Sequence, residues 1–265
     1  MECAKGGRAI WFVTLDYVGR AMPGGAATRV IEGHDIGLFP AIASDGAIWY
    51  DPNDGASVRR RDPDGSILTM SLPPIRAYKL APSTDGAVWA ITLQNVYRIN
   101  KTGFIRQFPL PGGPIDMAPA PDGGVWVATV FGIYPYRMIR FDAEGREVES
   151  MTADWPDAMG TGPDGSLFLA SRGEIRRYLA GRSQTIRIDD QTACSTASGV
   201  TFAFGWSFAR LAVSSDGVLW LAQDLRQVAN VTMIPPPCSP PPETWALVRV
   251  GTSTWPVGRR RASAH

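Results

Sequence analysis

No stretch of this 265-residue chain approaches the ~20 consecutive apolar residues that a bilayer-spanning helix requires, so no membrane span is expected. Charge of one sign is not in excess either. With 26 basic residues against 25 acidic ones, the long-range field that draws proteins to nucleic acid or anionic lipid is missing, and nucleic acid is not an expected partner. No segment keeps a 3.6-residue apolar rhythm over a dozen positions, which leaves little room for helix. Histidine occurs twice, as His34 in a connection and His265 at the end, and cysteine three times. Residues Met1 to Arg8 lack the apolar core of a secretory signal. A periplasmic or secreted location is thus expected only if such a segment precedes them, and a cytoplasmic one otherwise.

What the chain has in quantity is tight turns that deliver an aromatic residue. Asp45-Gly46-Ala47-Ile48-Trp49, Asp85-Gly86-Ala87-Val88-Trp89, Asp122-Gly123-Gly124-Val125-Trp126, Asp164-Gly165-Ser166-Leu167-Phe168 and Asp216-Gly217-Val218-Leu219-Trp220 repeat one phrase, and Gly7-Arg8-Ala9-Ile10-Trp11 is a degenerate first copy. The copies stand about 40 residues apart, the length of a four-stranded propeller blade, and no single unit of that size buries its own apolar face. The expected fold is all-β, a six-bladed β-propeller of four-stranded antiparallel blades, with an incomplete seven-bladed ring as the alternative. One domain is expected over residues 1–258, followed by a basic tail, 259–265, that contains Arg259-Arg260-Arg261.

The third copy displays the internal order. Ala87 to Thr92 reads as strand B, Asn95 to Asn100 as strand C, Phe104 to Leu110 as strand D, and Ile115 to Pro119 as the innermost strand A of the next blade. Glycine recurs in the C–D turns because tight hairpins need a residue at positive φ. The strand B aromatic reads as packing between blades, since one ligand needs one or two aromatics rather than six. Gly160 to Gly165 matches a dinucleotide fingerprint in form, but it leads into a strand and not a helix.

The A–B and C–D turns are short and open on one face, while the B–C and D–A connections vary in length and open on the other, where binding is expected. Two long insertions belong to that second face: Asp189 to Ser207, between blades five and six, and Gln223 to Thr244, within blade six. They carry Cys194 and Cys238, a candidate disulfide that would require an oxidising compartment. The run from Pro235 to Pro242 is stiff and extended; it reads either as a spacer or as a lid over the central opening, with Trp206 and Trp245 as apolar walls. Polar groups expected around the opening are Lys79, Asp116, Asp157 and Arg210 from strand A and Thr92, Thr129 and Gln223 from the end of strand B. Asp116 and Asp157, on neighbouring blades, are candidate ligands for a divalent ion, Mg or Ca, or an acid–base pair. No cofactor is otherwise evident.

The cadence "DG-x-(I/L/V)-W", followed by phrases such as Phe108-Pro109-Leu110-Pro111, resembles the streptogramin lyase (virginiamycin B lyase) group of propellers from Gly7 to Val257, and more loosely NHL-repeat and gluconolactonase-type propellers. That resemblance implies a central histidine, acidic residues and a magnesium ion that open a cyclic depsipeptide by elimination. Where the family's strand A phrase "PHGI" has its histidine, this chain has Leu38, Tyr78, Ile115, Asp157 and Ala209. None is histidine. The glutamate of "LWFTE" is replaced in turn by Thr14, Pro52, Thr92, Thr129, Ser171 and Gln223. The expected function is therefore a non-catalytic, monomeric binding propeller for a small molecule, glycan or peptide; the alternative is a divergent lyase or lactone hydrolase using the central carboxylates and a divalent metal.

Overall fold

The structure, a computed structural model, describes residues 2–3, 10–13, 17–21, 28–32, 40–52, 54–71, 77, 79–130, 136–171, 174–187, 192–195, 201–213, 219–227 and 246–250. Those residues form strands and turns only, and the strands fall into six antiparallel sheets of four. The first contains β1 (Glu2–Cys3), β2 (Ile10–Val13), β3 (Tyr17–Ala21) and β4 (Thr28–Glu32), and the second β5 (Ala41–Ile42), β6 (Ile48–Tyr50), β7 (Ser57–Arg61) and β8 (Ile67–Ser71). The third holds β9 (Lys79–Pro82), β10 (Val88–Ile91), β11 (Asn95–Ile99) and β12 (Ile105–Pro109). In the fourth are β13 (Gly113–Pro119), β14 (Val125–Val130), β15 (Tyr136–Phe141) and β16 (Glu147–Ala153), and in the fifth β17 (Ala158–Thr161), β18 (Leu167–Ser171), β19 (Glu174–Leu179) and β20 (Arg182–Arg187). The last comprises β21 (Thr192–Ser195), β22 (Thr201–Val213), β23 (Leu219–Gln227) and β24 (Ala246–Val250).

Each sheet is a meander, and the inner strands follow one another in space: β5 beside β9, β9 beside β13, β13 beside β17, β17 beside β22, with β22 also reaching β1. This is the architecture of a β-propeller. The first sheet does possess an inner strand, although only two residues long, where Glu2 and Cys3 pair with Trp11 and Ile10.

In the four described copies the Asp-Gly phrase makes its turn by one mechanism, shown by the first of them. Gly46 N–H donates to Ala43 O at 3.0 Å, Ala43 N–H to Ala47 O at 2.9 Å, and Ala47 N–H to the Asp45 carboxylate at 3.1 Å. That is a type I turn closed by a residue in the left-handed region, and Gly46 sits there with φ of 85°.

The aromatics pack between sheets. Trp49 lies with Val88, Ala90, Tyr97 and Ile99 of the third sheet, and Trp89 with Val125, Val127, Ile139 and Phe141 of the fourth. Trp126 is clustered with Met159, Leu167 and Leu169 of the fifth. Apolar area buried in this way is worth about 25 cal/mol per Å², which makes these seams the main force joining the sheets.

Register reveals a second repeated device. Directly opposite each aromatic stands an arginine: Trp11 faces Arg20, Trp49 Arg60, Trp89 Arg98, Trp126 Arg140, Phe168 Arg177 and Trp220 Arg249. In four copies that guanidinium reaches back to the aspartate of its own turn, Arg60 to Asp45 at 2.8 Å, Arg98 to Asp85 and Arg140 to Asp122 each at 2.6 Å, and Arg177 to Asp164. Three of them also lie over the ring, at 5.4 Å for Trp49, 5.6 Å for Trp89 and 5.9 Å for Phe168. Turn, strand C and aromatic are thus fastened together within the second, third and fifth sheets, and turn and strand C in the fourth.

The turn carboxylates respond to this setting. Burial opposes ionisation of Asp45, Asp85 and Asp164, but the hydrogen bonds outweigh it: Arg60 and the Ala47 N–H at Asp45, Ser83, the Ala87 N–H and Arg98 at Asp85, and Ser166 and Arg177 at Asp164 hold all three below the usual carboxylate value of 3.8. A depressed folded-state pKa contributes stability that is present above the unfolded value and is lost as pH falls through the folded one. We expect the thermal midpoint to hold down to about pH 5 and then drop, with Asp85→Asn shallowing the acid limb in melts between pH 2 and 6.

Sequence and structure part company in the last sheet. The insertion from Asp189 to Ser207 is not a plain loop: β21 pairs with the first part of β22, and β22 runs through Ser207 to become the inner strand. The second insertion likewise begins as strand, since β23 extends to Gln227 opposite Phe204. Aromatics at every second position, Phe202, Phe204, Trp206 and Phe208, are the period-two signature that accounts for this elongation. Strand C was expected from Trp245 to Val250 and appears as β24; strand D, expected from Ser253 to Val257, lies outside the described residues, as does the tail 259–265.

Candidate functional site

Charged residues near the axis share one rung. Lys79 pairs with Ile91, Asp116 with Ala128 and Arg210 with Ala222, each partner standing two residues beyond its strand's aromatic. Asp157 lies one residue outside that rung, its N–H donating to Ala170 O at 2.8 Å. In β13 and β22 the residue just before the charged one, Ile115 and Ala209 respectively, is an unpaired extra residue, a β-bulge at the same level in both strands. Bulges bend a strand and re-aim the side chain beside them.

Lys79 and Asp116 meet. The Lys79 ammonium donates to Asp116 Oδ1, which also accepts the Met117 N–H at 2.9 Å, and the two side chains are only 18% and 14% exposed. A cation from the chain therefore stands on the carboxylate that was expected to ligate a metal. Among the described residues no group of three or more His, Cys, Asp and Glu side chains could hold an ion. Among the described residues, Asp116 alone does not bring together the several oxygen ligands that a Mg or Ca ion takes. What the pair offers instead is a donor beside an acceptor in a half-dry setting, suited to a neutral hydrogen-bonding group.

Thr92 follows β10 and Thr129 lies near the end of β14. They are buried, at 0% and 1% exposure, because their hydroxyls serve the backbone. Thr92 Oγ1 accepts the Asn95 N–H at 3.3 Å and so closes the turn between β10 and β11, while the Thr129 hydroxyl donates to Arg137 O at 3.2 Å across to β15. Gln223 stands on β23 opposite Phe208, Trp206 on β22 opposite Leu225, and Cys194 on β21 opposite Phe202. His34, Trp245, Cys238 and the proline-rich run lie outside the described residues, so the lid and the Cys194–Cys238 bridge stay expectations.

The sequence reading also missed a corner on the face of the variable connections. Between β16 and β17, Trp155 stacks edge-to-face on buried Tyr136, with ring centroids 5.0 Å apart at 85°. Its chain neighbour Asp154 accepts from Arg176 at 2.7 Å, and Arg176 also binds Glu174 at 3.3 Å. Its one visible signal was the Trp155-Pro156-Asp157 run itself. No described helix is long and apolar enough to cross a membrane.

No family model matches the chain. Over 116 residues it is 32% identical to a virginiamycin B lyase of Nocardia farcinica (strain IFM 10152), a match that takes in 41% of this chain and 40% of that protein. The chain thus matches well under half the length of that relative. In fold it is similar to the virginiamycin B lyase of Staphylococcus aureus, with a TM-score of 0.59 at 16% identity over 87% of this chain and 81% of that one. A gluconolactonase of Xanthomonas campestris superposes with the same TM-score, 0.59, at 14% identity over 80% of this chain and 78% of its own.

Proposed function

From the premise that this chain is a streptogramin lyase-like β-propeller, we propose that it is a binding propeller without catalysis, which takes a small molecule, glycan or peptide on the face of the B–C and D–A connections. The observation that carries this reading is the Lys79–Asp116 pair. An enzyme of the metal-assisted kind needs a free carboxylate to receive the ion, and here a lysine fills that place. The shared rung and the twin bulges support the inner end of strand A as the level where ligand is met.

The names of the relatives favour a second reading, a divergent lyase or lactone hydrolase that works through Asp157 and a divalent ion. The two separate in one experiment. The purified chain is incubated with quinupristin, the compound present with an inactive virginiamycin B lyase in one related structure, and with gluconolactone, with Mg or Ca ions and then with EDTA. We expect no turnover above background and a melting temperature that EDTA leaves within about 1 °C, whereas 1 °C corresponds to only a few tenths of a kcal/mol in a chain of this size. Turnover that EDTA abolishes and that Asp157→Asn removes would establish the enzyme instead.

A further inference from the structure

We infer that the corner made by Trp155, Tyr136, Asp154 and Arg176 is a subsite for a neutral saccharide ring. The inference rests on the binding reading above and names the ligand class for it.

Trp155 is a large apolar side chain left 43% exposed, yet it is firmly placed. Tyr136 opens β15 opposite Ala153, the residue two before Trp155, so the indole falls diagonally across the strand pair onto the phenol ring. Pro156 follows and is buried, and a residue before proline is held extended. An indole pinned in this way is presented at little entropic cost on binding.

Its neighbours set the chemistry. Asp154 and Glu174 both accept from Arg176, so acceptor oxygens and guanidinium N–H groups lie side by side with their charges already balanced within the cluster, apart from one residual negative charge. A phosphate or carboxylate ligand would meet two carboxylates there. Hydroxyls suit the cluster better, because each gives a proton to a carboxylate and accepts one from the guanidinium without displacing an ion pair. The electron-rich face of an indole attracts polarised C–H groups, which a pyranose ring carries on its apolar side. Glu174 opens β19, and Trp155 lies in the connection between β16 and β17; both stand at the end of the sheets where the Lys79–Asp116 rung lies.

The full-length chain is tested by saturation-transfer NMR against neutral cello-, malto-, xylo- and chito-tetraose at millimolar concentration. We expect transfer to ring C–H protons of at least one of them, weakened at least tenfold by Trp155→Ala, partly kept by Trp155→Phe and reduced severalfold by Asp154→Asn. Far-UV circular dichroism identifies a variant that has not folded, in which case Trp155→Phe and Asp154→Asn decide. Transfer unaffected by these variants overturns the corner as the subsite. No transfer from any tetraose overturns the saccharide inference; if a peptide or drug-like ligand then binds in a manner sensitive to Lys79→Met, the binding reading survives without it.

Discussion

Trp89→Ala is expected to destabilise the protein by about 3–5 kcal/mol, which for a chain of this size is a fall of roughly 5–9 °C in melting temperature. Trp89 is wholly buried, and it joins the third sheet to the fourth through Val125, Val127, Ile139 and Phe141, with Phe108 at 5.7 Å on its own side. Its ring nitrogen donates to Gly123 O at 3.0 Å, and Arg98 rests on its face. Alanine removes the packing, the hydrogen bond and the support for Arg98 at once. Trp89→Phe keeps most of the volume and loses mainly the hydrogen bond, so about 1–2 kcal/mol is expected. Chemical denaturation of both variants is the check: equal losses would mean that the seam between these sheets does not depend on the ring.

Gly124→Ala is expected to cost at least about 3 kcal/mol, an unusual result for the addition of one methyl group. A Cβ on Gly124 would lie 2.1 Å from Phe141 O and 3.1 Å from the Asp142 Cα, and backbone atoms cannot swing aside as a side chain can. The same place in the repeat is held by Ala47 and Ala87, both buried, so the turn itself tolerates a methyl group. The reverse change, Ala87→Gly, then serves as the control and should cost only about 0.5–1 kcal/mol. If Gly124→Ala melts within a degree or two of the parent, the close approach of β14 and β15 at this point is wrong.

How far the chain could be read without coordinates depended on the range of each signal. The turn phrase and the apolar runs are local, and β10, β11, β12 and β13 fall where the third copy placed them. The arginine opposite every aromatic escaped notice because the connection between strands B and C differs in length from copy to copy, so only pairing register aligns Trp89 with Arg98 and Trp126 with Arg140. Lys79 and Asp116 were each singled out, but that one neutralises the other is a fact of neighbouring inner strands, 37 residues apart. That the hydroxyls of Thr92 and Thr129 bond the backbone was not legible, because a hydroxyl at a strand end serves a ligand or the backbone equally well and residue type alone does not choose. The alternation from Phe202 to Phe208 was present to be read, and the long β22 shows what it meant.

That each sheet is assembled from consecutive stretches of chain, while β22 reaches back to β1, bears on how the molecule comes together. Pairings within a sheet close short loops and cost little chain entropy, so successive sheets can form in the order of synthesis. Bringing β22 beside β1 closes a loop over most of the polypeptide, and it has the features of a slow final step.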